Sequence, residues 1–140
     1  MPKLVLIVED SDACAETLQI ALESLPGLEI RILPSAIEAI RAVREAANDD
    51  AANGVAAIVT DLNMHRAEGL YNEALTLDGF DLIHQLRAEP RFAHLPILLI
   101  SGDTDPRLPA RALQQGANAF FAKPYSPSAV RRKLEQLLCS

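Results

Sequence analysis

Short apolar runs alternate with amphipathic stretches along the whole chain. Continuous apolar runs of strand length predict strands that are buried on both faces, at Leu4–Val8, Val55–Thr60, Pro96–Ile100 and Ala119–Ala122. The run Leu28–Leu33 alternates apolar with charged residues, which predicts a half-buried or edge strand. Apolar residues at helical spacing follow every run, and these predicted helices begin at Ser11, Ser35, Gly79, Leu108 and Ser126.

Strands that alternate with helices in this way predict an α/β fold. Parallel strands joined by helical crossovers form a doubly wound sheet, here with five strands flanked by five helices. The length of 140 residues fits one domain, so we predict a single domain over residues 1–140. In such sheets ligands bind at the carboxyl ends of the strands, where the strand order reverses.

Polar side chains with complementary chemistry stand at those strand ends. Glu9 and Asp10 follow the first strand, Asp61 the third, Ser101 the fourth and Lys123 the fifth. Clustered carboxylates repel one another unless a cation lies among them, and an all-oxygen ligand set suits Mg²⁺. One aspartate could then attack a phosphorus centre, while the metal and an ammonium share the charge of the phosphoryl oxygens. Each residue alone has an ordinary explanation as a cap or turn residue, so the prediction depends on the set.

Charge and composition limit the possible binding partners of the protein and its possible cellular location. The net charge of −6 argues against non-specific nucleic-acid binding by this domain. The sequence has no apolar run of membrane-spanning length and no signal-peptide cleavage pattern. The cysteines Cys14 and Cys139 form no motif, which agrees with a reducing compartment. We therefore expect a cytoplasmic protein that works through protein partners and not at a membrane.

Four segments carry a resemblance to a known family. The strings LVLIVEDSD, AAIVTDLNM, LDGFDLIHQLRAEPRFAHLPILLISGD and GANAFFAKPYS resemble the receiver domains of two-component response regulators, whose fold is flavodoxin-like. The resemblance implies that a histidine kinase or histidine phosphotransfer protein donates a phosphoryl group from phosphohistidine to Asp61. It also implies that Asp10, Asp61 and the backbone carbonyl of Asn63 bind Mg²⁺ directly, and that Glu9 acts through water.

The same resemblance assigns the remaining site residues. Ser101 matches the hydroxyl that moves toward the phosphoryl group, and Lys123 matches the lysine that pairs with it. The bond from Lys123 to Pro124 resembles a cis peptide of the family. Phe120 falls on the aromatic switch position, although it equally fits a plain core residue. Movement there would change the surface of helix 4, strand 5 and helix 5, which would signal to a downstream protein or form a phosphorylation-dependent homodimer.

The chain departs from the family pattern after the phosphoacceptor. Where the family reads Met-Pro-x-Met-Asp-Gly, Met64 is followed by HRAEGLYNEALTL before Asp78 and Gly79. We predict an insertion of about ten residues within 65–77. His65, Arg66 and Tyr71 could contact the acyl phosphate or a partner, and a solvated loop is the alternative. Asn63 and Asp103 are expected beside the path of attacking water, which implies a phosphoryl lifetime of minutes or less.

The leading interpretation is a stand-alone receiver, because the chain ends soon after the fifth helix. The resemblance implies that it is not an enzyme in the usual sense and that it catalyses only its own phosphorylation and dephosphorylation. One alternative is a receiver fragment of a longer regulator or hybrid kinase. Another is a small Mg²⁺-dependent phosphatase with an aspartate nucleophile, but the haloacid-dehalogenase type requires a second acid where Asn63 stands. A third is a pseudo-receiver that binds partners without phosphorylation.

Overall fold

The computed structural model describes residues 3–48, 54–63 and 77–139. Within these ranges strands and helices alternate as the sequence predicts, with one short 3₁₀ turn at Pro90–Phe92. The strands are β1 (Lys3–Val8), β2 (Leu28–Leu33), β3 (Val55–Asp61), β4 (Ile97–Ser101) and β5 (Ala119–Ala122). The helices are α1 (Asp12–Glu23), α2 (Ala36–Asn48), α3 (Gly79–Arg87), α4 (Leu108–Gln114) and α5 (Pro127–Leu138).

All described strands form one parallel sheet in the order β2-β1-β3-β4-β5. The chain winds outward from β1 to β2 in one direction and from β3 through β4 to β5 in the other. The order therefore reverses between β1 and β3, and their carboxyl ends form the place where such folds bind ligands. The predicted doubly wound fold is confirmed, and β2 is the edge strand that its alternating pattern predicts.

The sheet has an apolar core on each face. Alternate residues of each central strand point to opposite faces, so Leu6 and Ile58 pack with α2, α3 and α4, while Ile7 and Val59 pack with α1 and α5. All four side chains have no solvent exposure. Burial of each such side chain contributes about 1.5–3 kcal/mol, so these central strands are strongly fixed in the fold.

No helix among the described residues is long and apolar enough to cross a membrane.

Helix caps agree with the sequence in part. Ser11 caps α1 and Ser126 caps α5, because their hydroxyls accept hydrogen bonds from Cys14 N and Ala129 N, respectively. The sequence Ser35-Ala-Ile-Glu38 has the pattern of a capping box, but only the first half of the box forms, with Glu38 N–H donating to Ser35 Oγ at 3.3 Å. The carboxylate of Glu38 accepts a bond from the Ser35 hydroxyl instead of one from the backbone.

A complete capping box lies at α3. Asp78 Oδ1 accepts a hydrogen bond from Asp81 N at 2.9 Å, and Asp81 Oδ2 accepts one from Asp78 N at 3.0 Å. Burial raises the pKa of Asp78, the bond from Asp81 N lowers it, and the negative charge of Asp81 raises it further. This box starts α3 at a defined residue, Gly79.

Gly79 brings the start of α3 against the end of β3. Its N–H donates to Leu62 O at 2.9 Å. A Cβ on Gly79 would lie 2.7 Å from Leu99 Cδ1 and 2.9 Å from Asp61 O, closer than real Cβ atoms approach. Only glycine therefore permits this approach of α3 to the backbone of Asp61.

The segment between β3 and α3 is described only at its ends, Leu62–Asn63 and Leu77–Asp78. His65, Arg66 and Tyr71, which the sequence offers as candidate contacts, lie outside the described residues. The insertion within 65–77 therefore stays a prediction from the sequence.

Candidate functional site

The carboxyl edge of the sheet gathers the predicted site residues. Glu9 and Asp10 directly follow β1, Asp61 and Ser101 are the last residues of β3 and β4, and Lys123 directly follows β5. A cavity of about 470 Å³ opens at this edge, and its lining residues are Glu9, Asp10, Ser11, Asp61, Asn63, Gly102, Asp103 and Lys123. Predicted site residues from both ends and the middle of the chain thus share one cavity.

Lys123 joins two carboxylates in this cavity. Its ammonium donates to Asp61 Oδ2 at 2.6 Å and lies 3.5 Å from Glu9 Oε2. Partial burial lowers the pKa of Lys123, but the hydrogen bond and charge of Asp61, together with the charge of Glu9, raise it above its ordinary value. The lysine is therefore a fixed positive charge at neutral pH, placed against the buried end of Asp61.

The negative charge of Glu9 is less well balanced by its neighbours than that of Asp61. The pKa of Glu9 is raised to about 7, chiefly because the carboxyl group is buried. The hydrogen bond from Ser11 N lowers this pKa, and the charge of Asp61 raises it. Ser11 N donates to Glu9 Oε1 at 3.1 Å, so the carboxyl is held in place by the backbone that leads into α1. One ammonium shared between two buried carboxylates leaves negative charge that an added cation would balance.

Asp61 is oriented by contacts on both of its carboxylate oxygens. Oδ2 accepts from Lys123, and Oδ1 accepts from Asn63 N at 3.0 Å. The backbone is held too, because Asp61 pairs with Ile100 across the sheet and Leu62 N donates to Ile100 O at 2.7 Å. Its side chain is only 6% exposed, yet it faces the polar cavity and not the apolar core. The carboxylate is therefore fixed in place and accessible from one direction.

Ser101 is completely buried beside the cavity. Its Oγ accepts a hydrogen bond from Asp103 N at 3.0 Å, and its backbone carbonyl accepts one from Lys123 N at 2.8 Å. A hydroxyl that accepts through a lone pair keeps its own proton to donate. In the sheet, Ser101 directly follows Ile100, the backbone partner of Asp61.

Two further predictions concern β5 and the loop after it. The peptide bond from Lys123 to Pro124 is cis, as the resemblance implies. Phe120 pairs with Leu99 in the sheet, is half-buried and packs against the core under α2, α3 and α4. That position fits a core residue, and the switch role stays a prediction.

Asp105 and Arg107 were not foreseen from the sequence as part of this region. The carboxylate of Asp105 accepts from Arg107 N at 2.9 Å, and Asp103 Oδ1 accepts from Asp105 N at 2.9 Å. The available signal was the spacing Asp-x-Asp-x-Arg, because aspartates commonly accept a bond from the backbone N–H two residues later.

Comparisons with known proteins agree with this geometry. Residues 5–135 match the family described as the response regulator receiver domain. The chemotaxis protein CheY1 of Helicobacter pylori strain J99 is 29% identical over 134 residues, which cover 96% of this chain and 95% of that protein.

Solved structures show the same likeness. The signal receiver domain of a signal transduction histidine kinase from Syntrophus aciditrophicus is 27% identical, with a TM-score of 0.75 over 98% of this chain and 90% of that one. The chemotaxis response regulator CheY4 of Vibrio cholerae is 22% identical and shares the fold, with a TM-score of 0.72 over 99% of this chain and 100% of that one.

Proposed function

Because this chain belongs to the response regulator receiver domain family, we propose that it signals by accepting a phosphoryl group on Asp61. The observation that carries the proposal is the carboxylate of Asp61, fixed 2.6 Å from the ammonium of Lys123 at the wall of the cavity. A carboxylate that is accessible from one side and paired with a permanent cation suits nucleophilic attack on an anionic phosphoryl group.

The proposed donor is phosphohistidine on a histidine kinase or a histidine phosphotransfer protein. A carboxylate oxygen of Asp61 forms a bond to phosphorus while the bond from phosphorus to the imidazole nitrogen breaks. The imidazole leaves with that electron pair and takes a proton from solvent. Lys123 pairs with one phosphoryl oxygen and the Ser101 hydroxyl donates to another. Gly102 is exposed, and even a Cβ there would meet nothing nearer than 3.8 Å, so the entrance has room for a donor.

Mg²⁺ fits the chemistry of this donor set. Glu9 and Asp61 are buried carboxylates with one ammonium between them, and Asp10 is a third, half-buried acid on the same cavity. No group of three or more His, Cys, Asp or Glu side chains among the described residues is arranged as a complete metal site. We propose, from the resemblance to the family, that Asp10, Asp61 and the backbone carbonyl of Asn63 would hold the ion directly, with Glu9 acting through water. When bound, the ion supplies charge neutralisation for the phosphoryl oxygens.

The proposed output is a changed surface made by α4, β5 and α5. When the Ser101 hydroxyl moves to the phosphoryl group, Phe120 turns further inward and alters that surface for a downstream protein or a second copy of the chain. Water that enters between Asn63 and Asp103 hydrolyses the acyl phosphate and ends the signal. The chain thus catalyses only its own phosphorylation and dephosphorylation.

We propose a cytoplasmic location, which the free thiols of Cys14 and Cys139 support.

The decisive test is the intact mass of the protein after incubation with acetyl phosphate and Mg²⁺. The wild type is expected to gain one phosphoryl group, and Asp61→Asn none. Asp12→Asn, an exposed change of the same chemistry on α1, should behave as wild type, and chelation of Mg²⁺ should abolish the gain. An equal gain in Asp61→Asn would overturn the proposal. Turnover of a generic phosphate ester would favour the phosphatase alternative.

The sequence insertion within 65–77 supports one further element of this proposal. It directly follows the acceptor loop, so it is proposed to shield the phosphoaspartate or to select the kinase. Deletion of residues 66–76 is expected to change the dephosphorylation rate or the donor preference. A deletion variant with an unchanged lifetime and unchanged donors would contradict this role.

A further inference from the structure

The strand β2 forms one edge of the sheet, and the outer side of its backbone is unpaired. Among the described strands, β2 pairs with β1 alone. Near its two ends, Gly27 O and Leu33 O accept hydrogen bonds from the backbone of β1 and of the residue that follows β1, so these carbonyls point inward. Backbone groups of successive residues point to opposite sides of a strand. The N–H and C=O groups that point outward are therefore those of Leu28, Ile30 and Ile32.

Two side chains of opposite charge lie on this edge strand. Glu29 and Arg31 are both exposed, and because they are two residues apart they share one face of the sheet. Within the part of the chain that the structure describes, neither side chain forms an ion pair or a hydrogen bond. Both charges are therefore available to a strand that pairs with β2.

An antiparallel second copy of β2 fits this charge pattern in one register. A twofold axis at Ile30 places Glu29 opposite Arg31 of the second copy, and Arg31 opposite Glu29 of the second copy. In this register the outward backbone groups of Ile30 meet each other, so the charged residues occupy non-hydrogen-bonded positions, where opposing side chains are closest. An axis at Glu29 or at Arg31 would instead place like charges opposite each other, which is destabilising.

The apolar face and the ends of β2 agree with the same register. Leu28 and Ile30 pack against the core beneath α1 and α5, but Ile32 is 36% exposed. With the axis at Ile30, Ile32 lies opposite Leu28 of the second copy, and such apolar pairs favour strand association. Pro26 and Pro34 flank the strand and also lie opposite each other in this register. Proline has no N–H, so the ladder between the copies ends there.

We propose that β2 is a docking edge for a second copy of this chain, which pairs antiparallel with Glu29 opposite Arg31. The two sheets then form one continuous sheet across a twofold axis. Charged side chains on an edge strand usually discourage association. Two like charges would do so in every register, whereas one charge of each sign leaves a single register attractive. One pair of strands buries a small area, so we expect a weak, reversible dimer with a Kd on the order of 100 µM.

This dimer does not depend on the proposed phosphoryl transfer. β2 and β5 are opposite edges of the sheet, so the surface of α4, β5 and α5 stays free. The carboxyl ends of antiparallel strands point in opposite directions, so the two cavities at Asp61 lie at opposite ends of the dimer. Asp61→Asn should therefore associate as the wild type does.

A charge swap tests the pairing by sedimentation velocity of the full chain between about 5 and about 500 µM. Glu29→Arg and Arg31→Glu each place like charges opposite each other, so each variant alone should associate at least about tenfold more weakly than wild type. An equimolar mixture of the two variants restores opposite charges at both positions and should associate within about threefold of wild type. Glu135→Arg makes the same charge change on the exposed side of α5 and should match wild type.

Amide hydrogen exchange of the wild type locates the contact. The N–H of Ile30 should become more protected as the concentration rises, while the N–H of Leu113 on α4 should not change. A protein that stays monomeric over the whole range overturns the proposal, and so does a mixture that associates no better than its components. A dimer that leaves the exchange of Ile30 N–H unchanged uses another surface and overturns it as well. The wild-type exchange decides the matter even where a charge variant fails to fold.

Discussion

The ammonium of Lys123 lies 2.6 Å from the carboxylate of Asp61, although 62 residues separate them in the chain. The contact crosses β4, because Asp61 ends β3 and Lys123 follows β5. Asp61 also has a neighbouring acid, Glu9, which the same ammonium reaches at 3.5 Å. Among the residues that the structure describes, Lys123 is the one cation that balances both carboxylates.

Removal of that lysine should slow phosphoryl transfer. In Lys123→Ala no ammonium stabilises the charge that develops on the phosphoryl oxygens, so transfer from acetyl phosphate should slow about 10²–10³-fold. The measurement is the time course of intact mass with saturating Mg²⁺. Lys133→Ala on α5 makes the same change of charge away from the cavity and should keep the wild-type rate. A wild-type rate in Lys123→Ala would remove the lysine from the proposed chemistry.

Neutralisation of Glu9 should stabilise the metal-free protein. Glu9 and Asp61 are each 5% exposed and share one ammonium, so Glu9→Gln removes a repulsion while keeping the acceptor for Ser11 N. The free energy of unfolding in urea with chelator present should rise by about 1–3 kcal/mol. Added Mg²⁺ should then stabilise the variant less than the wild type, because ligand linkage scales with affinity.

The control for this prediction is Glu16→Gln, an exposed change on α1 that should have little effect. If Glu9→Gln were less stable than wild type without metal, the carboxylate would be a net stabilising group and the electrostatic account of the cavity would be wrong.

Substitution at Gly79 should destabilise the fold through steric overlap. The Cβ of Gly79→Ala would meet Asp61 O and Leu99 Cδ1 at 2.9 and 2.7 Å, so α3 or the end of β3 must move. We expect a loss of about 1–3 kcal/mol in the free energy of unfolding. Gly54→Ala is the matched control, because nothing lies within 4 Å of its Cβ position. Equal stability of the two variants would contradict the close approach.

Arg87 should be a major stabilising residue at the opposite edge of the sheet. Its guanidinium donates to the carbonyls of Gly116 and Phe92 and to Asn118 Oδ1. Arg87→Ala removes these charge-assisted bonds, and unfolding by urea should show a loss of about 2–3 kcal/mol. Arg87→Lys keeps the charge without the planar fork and should be intermediate. Arg132→Ala, an exposed change on α5, should be neutral.

The pH dependence of stability should reveal the ion pairs of Glu89. Hydrogen bonds from Arg44 and Arg91 lower the pKa of Glu89 below its ordinary value of 4.5. A lowered folded-state pKa means that the contribution is complete above that ordinary value and is lost as the pH falls through the folded-state pKa. Wild type should therefore melt higher than Glu89→Gln at neutral pH, and the difference should close below about pH 4. A difference that widens in acid would reverse the sign of the effect.

Much of the fold was predictable from the sequence because each strand is a clear apolar run. The parallel alternation of strands and helices sends every carboxyl end to one edge, so residues such as Asp10, Asp61 and Lys123 could be placed together before any contact was known. Boundaries were less certain. The spacing of Phe80, Ile83 and Leu86 predicts a third helix from Gly79 to Glu89. In the structure this helix ends at Arg87, and a 3₁₀ turn begins at Pro90.

The features that were missed depend on geometry beyond local patterns. An aspartate at the third position of α3 completes a capping box, yet the usual signature asks for Glu or Gln there. Nothing in the neighbours of Arg87 in sequence indicates its acceptor at Gly116, 29 residues away. The steric need for glycine at position 79 follows from Asp61 O, which no periodicity reveals.

The bond from Gly79 N to Leu62 O, 2.9 Å long, bears on how the chain between them tolerates change. This hydrogen bond holds the two ends of the intervening segment next to each other. The length of the segment therefore does not affect how the sheet and α3 pack. Closing a longer loop on fixed ends adds only about 0.6 kcal/mol for each doubling of length. Insertions, deletions or replacements in this segment should therefore leave the position of Asp61 unchanged. The segment can differ between relatives at a small cost in the free energy of folding.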